Sequence, residues 1–229
     1  MRIGVIAEGH ADIAIIKAAL KVLKGIDGSD IYAIRPNELY DETDLNELKF
    51  SNWNLVLKSC SDECLLQSFF DMIEEDAVLI VQIDTAERGE VGYDIPEPQR
   101  TKGIDWKLYS EQLYTGVHEK IASIVPEVYR NKVVYAIAIE ETDAWLIPLF
   151  DTSCEETAQY ANPKERLHYL IGKMDKKRKC SYIDTSKKNL NYTAIGKDMK
   201  KGIRTCRLKN KSLDMFCLEI DEKISDVKR

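Results

Sequence analysis

Short apolar runs alternate with amphipathic segments along this chain, and the alternation predicts strands and helices in turn. Apolar runs at residues 3–7, 77–83 and 133–139 predict strands, and the run at 77–83 is typical of a strand buried on both faces. Shorter runs at 31–34 and 55–57 predict two further strands. Strands that alternate with helices predict an α/β fold, with a mainly parallel sheet flanked by helices.

Apolar residues recur at helical spacing after most of these strands. The pattern predicts helices at 13–23, 62–73, 106–125, 143–149, 163–171 and 213–220. Five residues suited to begin a helix stand just before such segments: Asp12, Ser61, Asp105, Asn162 and Ser212. The acidic segment at 38–47 predicts a loop or short helix. The polar stretch at 85–103 predicts a long loop, and loops of that length are often functional.

Composition narrows the class of protein. The chain has 229 residues, of which 44% are hydrophobic, so it can bury a sizeable core. No apolar run approaches the roughly 18–20 residues that span a bilayer, and the N-terminal apolar stretch stops at Glu8 instead of continuing as a signal peptide would. We therefore expect a soluble cytoplasmic protein. Its six cysteines form no CxxC pair, which favours reduced structural thiols.

Charge is distributed unevenly along the chain. Residues 164–211 hold 16 Lys/Arg and 4 Asp/Glu, a net charge of +12, although the whole chain has a net charge of −6. We expect an α/β core at 1–150 and a basic, helical C-terminal region at 151–229 that packs on it. That region either meets a polyanion or docks on the protein's own acidic face. The candidate nucleic-acid contacts are Lys176, Lys177, Arg178, Lys197, Lys200, Lys201, Arg204 and Arg207.

Acidic residues follow three of the predicted strands. Glu8, Asp84 and the pair Glu140 and Glu141 stand at those ends, and parallel strands end at one edge of a sheet. Carboxylates held close together need protons or a cation, and oxygen ligands suit Mg²⁺ or Mn²⁺. The alternative is that these strands end in polar residues only because the chain returns to water there.

Nearby polar residues extend this candidate site. Glu87 in the following loop and Asp143 beyond the Glu pair are further candidate ligands, although Glu87 also fits a solvated loop and Asp143 a helix cap. His10 suits either acid–base chemistry or a turn. The chain has no GxxxxGK[ST] phosphate loop, no GxGxxG fingerprint and no GxSxG elbow. These absences argue against a P-loop ATPase, a dinucleotide-binding enzyme and an α/β-hydrolase.

Five segments resemble segments of known proteins. VIAEGHAD resembles the first Toprim motif, and IVQIDTAERGE resembles the second, although Ala86 stands where that motif places another acid. AIAIEETDAWLIPLF, NPKERLHYLI and KNKSLDMFCLEI resemble segments of Toprim-like proteins related to OLD-family nucleases. The resemblance implies a Toprim-like core, with Glu8 as general base or metal-associated acid and Asp84 as metal ligand. It implies that Glu141 or Glu140 completes the site and that Asp143 assists.

The expected function is a Mg²⁺-dependent nuclease or related phosphoryl-transfer enzyme, with Glu8, Asp84 and Glu141 as the catalytic residues. The resemblance further implies a partner ATPase and a role in anti-phage defence. The alternative is a non-catalytic Toprim-like subunit that binds an ATPase or nucleic acid, which the missing acid at Ala86 favours. A third alternative is an enzyme acting on a small phosphorylated ligand.

Overall fold

A computed structural model describes residues 1–36, 51–71, 76–98, 103–184 and 189–226. Within them, a four-stranded parallel sheet has the order β2-β1-β3-β4, so the predicted α/β class is confirmed. Its strands are β1 (Arg2–Ile6), β2 (Ile31–Arg35), β3 (Ala77–Asp84) and β4 (Val133–Ala138). A small antiparallel pair, β5 (Ile183–Asp184) and β6 (Asn189–Leu190), lies apart from this sheet.

Helices flank the sheet on both faces. They are α1 (His10–Lys24), α2 (Trp53–Ser61), α3 (Glu63–Asp71), α4 (Trp106–Ile124), α5 (Asp143–Leu146), α6 (Pro163–Gly172), α7 (Lys176–Tyr182), α8 (Tyr192–Gly196), α9 (Met199–Lys209) and α10 (Lys211–Lys223). Short 3₁₀ turns lie at Gly28–Asp30, Glu127–Lys132, Ile147–Leu149 and Thr157–Gln159. The predicted loop or helix at 38–47 lies outside the described residues.

One predicted strand is wrong. Residues 55–57 lie in α2, where Asn52 begins the helix by accepting a hydrogen bond from the Leu55 N–H at 3.0 Å. Val56 and Leu57 are buried because they form the inner face of that helix. A run of three apolar residues fits one helical turn as well as it fits a short strand, which explains the error.

Three predicted helix caps are also wrong. Ser61 is the last residue of α2, and Asp62 begins the next helix by accepting from the Leu65 N–H at 3.0 Å. Asn210 takes the place of Ser212, since its side chain accepts from the Leu213 N–H at 2.8 Å. Asp12 lies within α1, whose N-cap is Gly9.

The predicted helix starts at Asp105 and Asn162 agree with the structure. Asp105 caps α4 by accepting from two backbone N–H groups, and Gly25 ends α1 with a φ of 71°, a conformation in which glycine is favoured.

The sheet separates two hydrophobic cores, because side chains along each strand alternate between its faces. Val5 of β1, Ile80 of β3 and Ala136 of β4 point toward α1 and the C-terminal helices. Their neighbours Ile6, Val81 and Ile137 point toward α2, α3 and α4. Residues of α9 and α10, such as Cys206 and Phe216, belong to the first of these cores, so the C-terminal helices share a core with the sheet. The six cysteines are all unpaired, and no helix in the described ranges has the length and apolarity to cross a membrane.

Helix α10 covers the open edge of β4. The Glu219 carboxylate accepts from the Tyr135 N–H at 3.1 Å and from the Tyr114 hydroxyl at 2.6 Å. The Lys223 ammonium donates to the Val133 carbonyl at 2.6 Å and lies 3.1 Å from Glu219. Unpaired strand edges invite association with other chains. These side chains therefore satisfy backbone groups that would otherwise remain exposed.

Replacing Glu219 with Ala is expected to lower the free energy of unfolding by about 1–3 kcal/mol, because it leaves the Tyr135 N–H and the Tyr114 hydroxyl without this acceptor. Chemical denaturation measures the change. The control is Glu222→Ala, which removes an exposed carboxylate from the same helix. Equal stability of the two variants would show that Glu219 does not hold α10 against β4.

Candidate functional site

Glu8 and Asp84 meet at the carboxyl edge of the sheet, where β1 and β3 run side by side. The Asp84 N–H donates to Glu8 Oε1 at 2.6 Å. Gln82 joins the same pair, since its Oε1 accepts from the Glu8 N–H at 2.9 Å and its Nε2 donates to Asp84 Oδ1 at 2.8 Å. The strand register thus brings together the two acids predicted from the strand ends.

Two further carboxylates approach this pair from other elements. Asp12 lies in the first turn of α1, is buried, and accepts a hydrogen bond from the Thr142 hydroxyl. Asp143 begins α5, is buried, and accepts from the Tyr192 hydroxyl at 2.8 Å. Sequence reasoning assigned Asp12 only a capping role and so missed it as a site residue. The available signal was an acid at the start of a largely apolar helix, four residues after Glu8.

Burial and mutual repulsion make these carboxyl groups weak acids. Burial is the main cause, and it raises the pKa of Glu8 to about 8, of Asp143 to about 7 and of Asp12 to about 6. The pKa of Asp84 is raised well above its usual value by burial and then by the charges of Asp12 and Glu8. A cluster of this kind retains protons near neutral pH, and a bound cation would displace them.

The remaining candidate acids divide into two groups. Glu141 lies close enough to the cluster for its charge to raise the pKa of both Asp84 and Asp143, although burial has the larger effect on each. Glu87 is exposed, and its charge contributes to the raised pKa of Glu8 after burial and Asp12. Glu140 instead faces Arg88, with 3.1 Å between its carboxylate and the guanidinium. Its φ of 62° is left-handed, so the chain turns sharply there.

The loop after β3 is anchored at several points. Residues 85–98 and 103 contain no helix or strand, as predicted. The Arg88 guanidinium nevertheless donates to the Thr85 carbonyl at 2.8 Å and pairs with Glu97 as well as Glu140. The buried Tyr93 hydroxyl donates to the Asp84 carbonyl at 2.6 Å. These contacts hold the loop against the end of β3.

The carboxylates suit a hard cation in their chemistry but do not form a ready-made cage. Mg²⁺ and Mn²⁺ prefer carboxylate oxygens, and these carboxyl groups would release their protons when a cation binds. Across the described ranges, however, no group of three or more His, Cys, Asp or Glu side chains is arranged to hold a metal ion. Hydrogen bonds to Asp12 from Thr142 and to Asp143 from Tyr192 orient these side chains in the present conformation.

Comparisons of the chain with protein-family models, curated proteins and solved structures gave no match. The Toprim and OLD-family resemblance therefore stays a prediction from the motifs.

The predicted nucleic-acid contacts lie on two helices and the turn between α8 and α9. Lys176, Lys177 and Arg178 are exposed on α7. The other five contacts lie on α9 or just before it. Four of these side chains are exposed: Lys197, Lys200, Lys201 and Arg204. The fifth, Arg207, is half-buried and forms ion pairs within the protein. The Arg207 guanidinium lies 2.8 Å from Asp214 and 3.8 Å from Asp221, so its charge is partly neutralised.

Proposed function

We propose that the protein is a divalent-metal-dependent phosphodiesterase that acts on nucleic acid. The observation that carries the proposal is the convergence of four carboxyl groups with raised pKa values, Glu8, Asp12, Asp84 and Asp143, at the carboxyl edge of a parallel sheet. In folds of this class, ligands bind beyond that edge. Glu141 lies next to the group and extends it.

The side chains suggest distinct roles. Asp84 and Asp12 would hold Mg²⁺ or Mn²⁺, with Glu141 and Asp143 beside them. The cation would polarise a phosphodiester oxygen and lower the pKa of a bound water. Glu8, whose pKa of about 8 is close to neutral, is suited to accept and release a proton during hydrolysis. Gln82 and Tyr93 position Asp84 through hydrogen bonds to its side chain and its carbonyl.

The basic surface supports a polyanionic substrate. Lys200, Lys201 and Arg204 are exposed along one helix, where they can contact successive phosphates without reading sequence. The proposal is tested by incubating the full chain with single- and double-stranded DNA and RNA, with Mg²⁺ or Mn²⁺ and with EDTA. Cleavage that requires the cation supports it, and no cleavage of any of these substrates argues against it.

Replacing Lys200, Lys201 and Arg204 together with Ala is expected to weaken binding of a single-stranded oligonucleotide. The slope of log affinity against log salt should also fall in magnitude, by about 0.7 for each phosphate that the variant no longer neutralises. A matched control replaces three lysines with Ala: Lys58 of α2, and Lys107 and Lys120 of α4. These two helices pack on the opposite face of the sheet from α9. Equal weakening in both triple variants would indicate diffuse attraction and no binding surface on α9.

A non-catalytic subunit is the second candidate function, and two observations favour it. Ala86 is exposed at the position where the resembled motif has an acid, and the described side chains form no three-ligand group. Such a protein would bind a partner ATPase or nucleic acid through the same edge of the sheet. It would bind neither Mg²⁺ nor Mn²⁺ at millimolar concentration, which calorimetry can determine.

A further inference from the structure

A pocket opens beside the carboxylate cluster, between α1, α6 and the segment 189–193. His10 and Ala14 of α1, Lys164 and His168 of α6, and Asn189 and Tyr192 contribute to its walls. Its volume is about 520 Å³, which lies within the range of about 300–1,000 Å³ common for small-molecule sites. We call it the Lys164 pocket.

Two wall residues connect the pocket to the carboxylate cluster. Tyr192 lines the pocket, and its hydroxyl donates to Asp143 at 2.8 Å. Lys164 also lines the pocket. Its positive charge lowers the pKa of Asp12 and Asp143, against the larger increase that burial causes, so it lies near both carboxyl groups. The Lys164 N–H donates to Glu141 at 3.1 Å, which fixes the start of α6 against the cluster. A ligand in this pocket would therefore lie next to the carboxylates.

The chemistry of the pocket walls is opposite to that of the cluster. The walls carry a lysine, two histidines, two asparagines, a tyrosine and a threonine, and no Asp or Glu of the described residues is among them. Lys164 is exposed and supplies the positive charge. Burial and the nearby Lys164 lower the pKa of His168, so its ring offers a neutral N–H donor near pH 7. Ammonium, imidazole and amide donors together suit an anionic group with several oxygens.

The size and polarity of the pocket indicate a ligand larger than a phosphate. Asn189 carries an amide donor and acceptor, and Asn191, whose Oδ1 accepts from the Ala194 N–H at 3.0 Å, keeps its amide NH₂ as a donor; the edge of a nucleobase requires such partners. The rings of His168 and Tyr192 offer flat surfaces on which a base can stack. We propose that the Lys164 pocket binds one nucleotide of the substrate, with Lys164 contacting its phosphate. The choice of a nucleotide over other phosphorylated ligands rests on the proposed function.

Binding can be measured without catalysis. The full chain in EDTA is titrated by calorimetry with nucleoside 5′-monophosphates, with the corresponding nucleosides and with inorganic phosphate. We expect saturable binding of at least one monophosphate, tighter than that of its nucleoside and of inorganic phosphate. Equally tight binding of inorganic phosphate would overturn the inference, because it would indicate a phosphate site without room or partners for a nucleoside. Absence of saturable binding of any monophosphate would also overturn it.

Three single variants test whether a monophosphate binds in the Lys164 pocket. Lys164→Ala should weaken monophosphate binding by about tenfold or more, the usual effect of removing a charge-assisted hydrogen bond. Thr193→Glu places a negative charge in the first turn of α8 at the pocket wall and should weaken it similarly. Lys58→Ala, on the opposite face, should bind as the wild type does. Equal affinity of the Lys164→Ala and Lys58→Ala proteins would overturn the assignment, once thermal unfolding has shown that both are folded.

The same measurements separate this inference from the proposed function. If the wild type binds a monophosphate through Lys164 but cleaves no nucleic acid with Mg²⁺ or Mn²⁺, the pocket stands and the phosphodiesterase proposal fails. If the wild type cleaves nucleic acid but binds no monophosphate, the proposed function stands and the pocket inference fails.

Discussion

Glu8→Gln and Asp84→Asn are each expected to abolish metal-dependent cleavage and, at the same time, to make the metal-free protein more stable. Loss of a proton acceptor such as Glu8 typically lowers a rate by about a hundredfold to ten-thousandfold. The amides keep the acceptor oxygens that receive the Asp84 N–H and the Gln82 amide. Near neutral pH the wild-type carboxyl groups are ionised in the unfolded chain and must take up protons on folding, a cost that the amides do not have. We expect a gain of about 1 kcal/mol or more near neutral pH, close to the worth of one pKa unit.

The combination of these two effects distinguishes a functional cluster from a structural one. If these carboxylates only stabilised the fold, their replacement would lower the free energy of unfolding. The control variant is Glu119→Gln, which removes an exposed charge from α4 and should change neither quantity. Full cleavage activity in Glu8→Gln would contradict the assignment of this residue, and so would a fall in stability of both site variants.

The stability of the metal-free protein is expected to fall as pH rises from about 5 to about 8. Glu8, Asp143 and Asp12 have folded-state pKa values of about 8, 7 and 6, chiefly because they are buried. The folded state therefore binds more protons than the unfolded state across this window, and raising the pH favours unfolding. We expect a fall of at least about 1.4 kcal/mol, the equivalent of one pKa unit for one group.

Chemical denaturation in EDTA at several pH values measures this dependence. Carboxylates that are paired in the folded state change the stability only below this pH range, because their pKa values are lowered. The pKa of Asp151, for example, is lowered by hydrogen bonds from Ser153 and Arg166, so its contribution to stability is lost only in acid. The Glu8→Gln variant should show a flatter dependence than the wild type. Stability that rises between about pH 5 and 8 would contradict the raised pKa values.

Three strands of the sheet, β1, β3 and β4, could be predicted because they are buried on both faces. Runs such as 77–83 are too continuous for an amphipathic helix, and β3 and β4 were therefore located to within one residue. The run at 55–57 was too short to distinguish a strand from a turn of helix. The caps at Asn210 and Asp62 were missed because several residues near each helix start can accept the same backbone hydrogen bond.

Two of the four clustered carboxyl groups could be predicted from one geometric rule. Parallel strands end at the same edge, so Glu8 and Asp84 were expected together and they share a 2.6 Å hydrogen bond. Asp12 was missed because its partner Thr142 lies 130 positions away in the sequence. Glu140 has a left-handed backbone conformation and faces Arg88, and the sequence pattern reveals neither feature. The Lys164 pocket likewise depends on how α6 and the segment 189–193 meet α1.

A metal-binding measurement distinguishes a metal-dependent site from a non-catalytic subunit. Calorimetric titration of the full chain with Mn²⁺ and Mg²⁺ at about pH 8, where the folded-state pKa of Glu8 lies, should show binding accompanied by proton release. Asp84→Asn should weaken that binding strongly, and Glu119→Gln should leave it unchanged. Absence of binding to the wild type at millimolar metal would contradict a metal-dependent site at Glu8, Asp12, Asp84 and Asp143 and would favour the non-catalytic subunit.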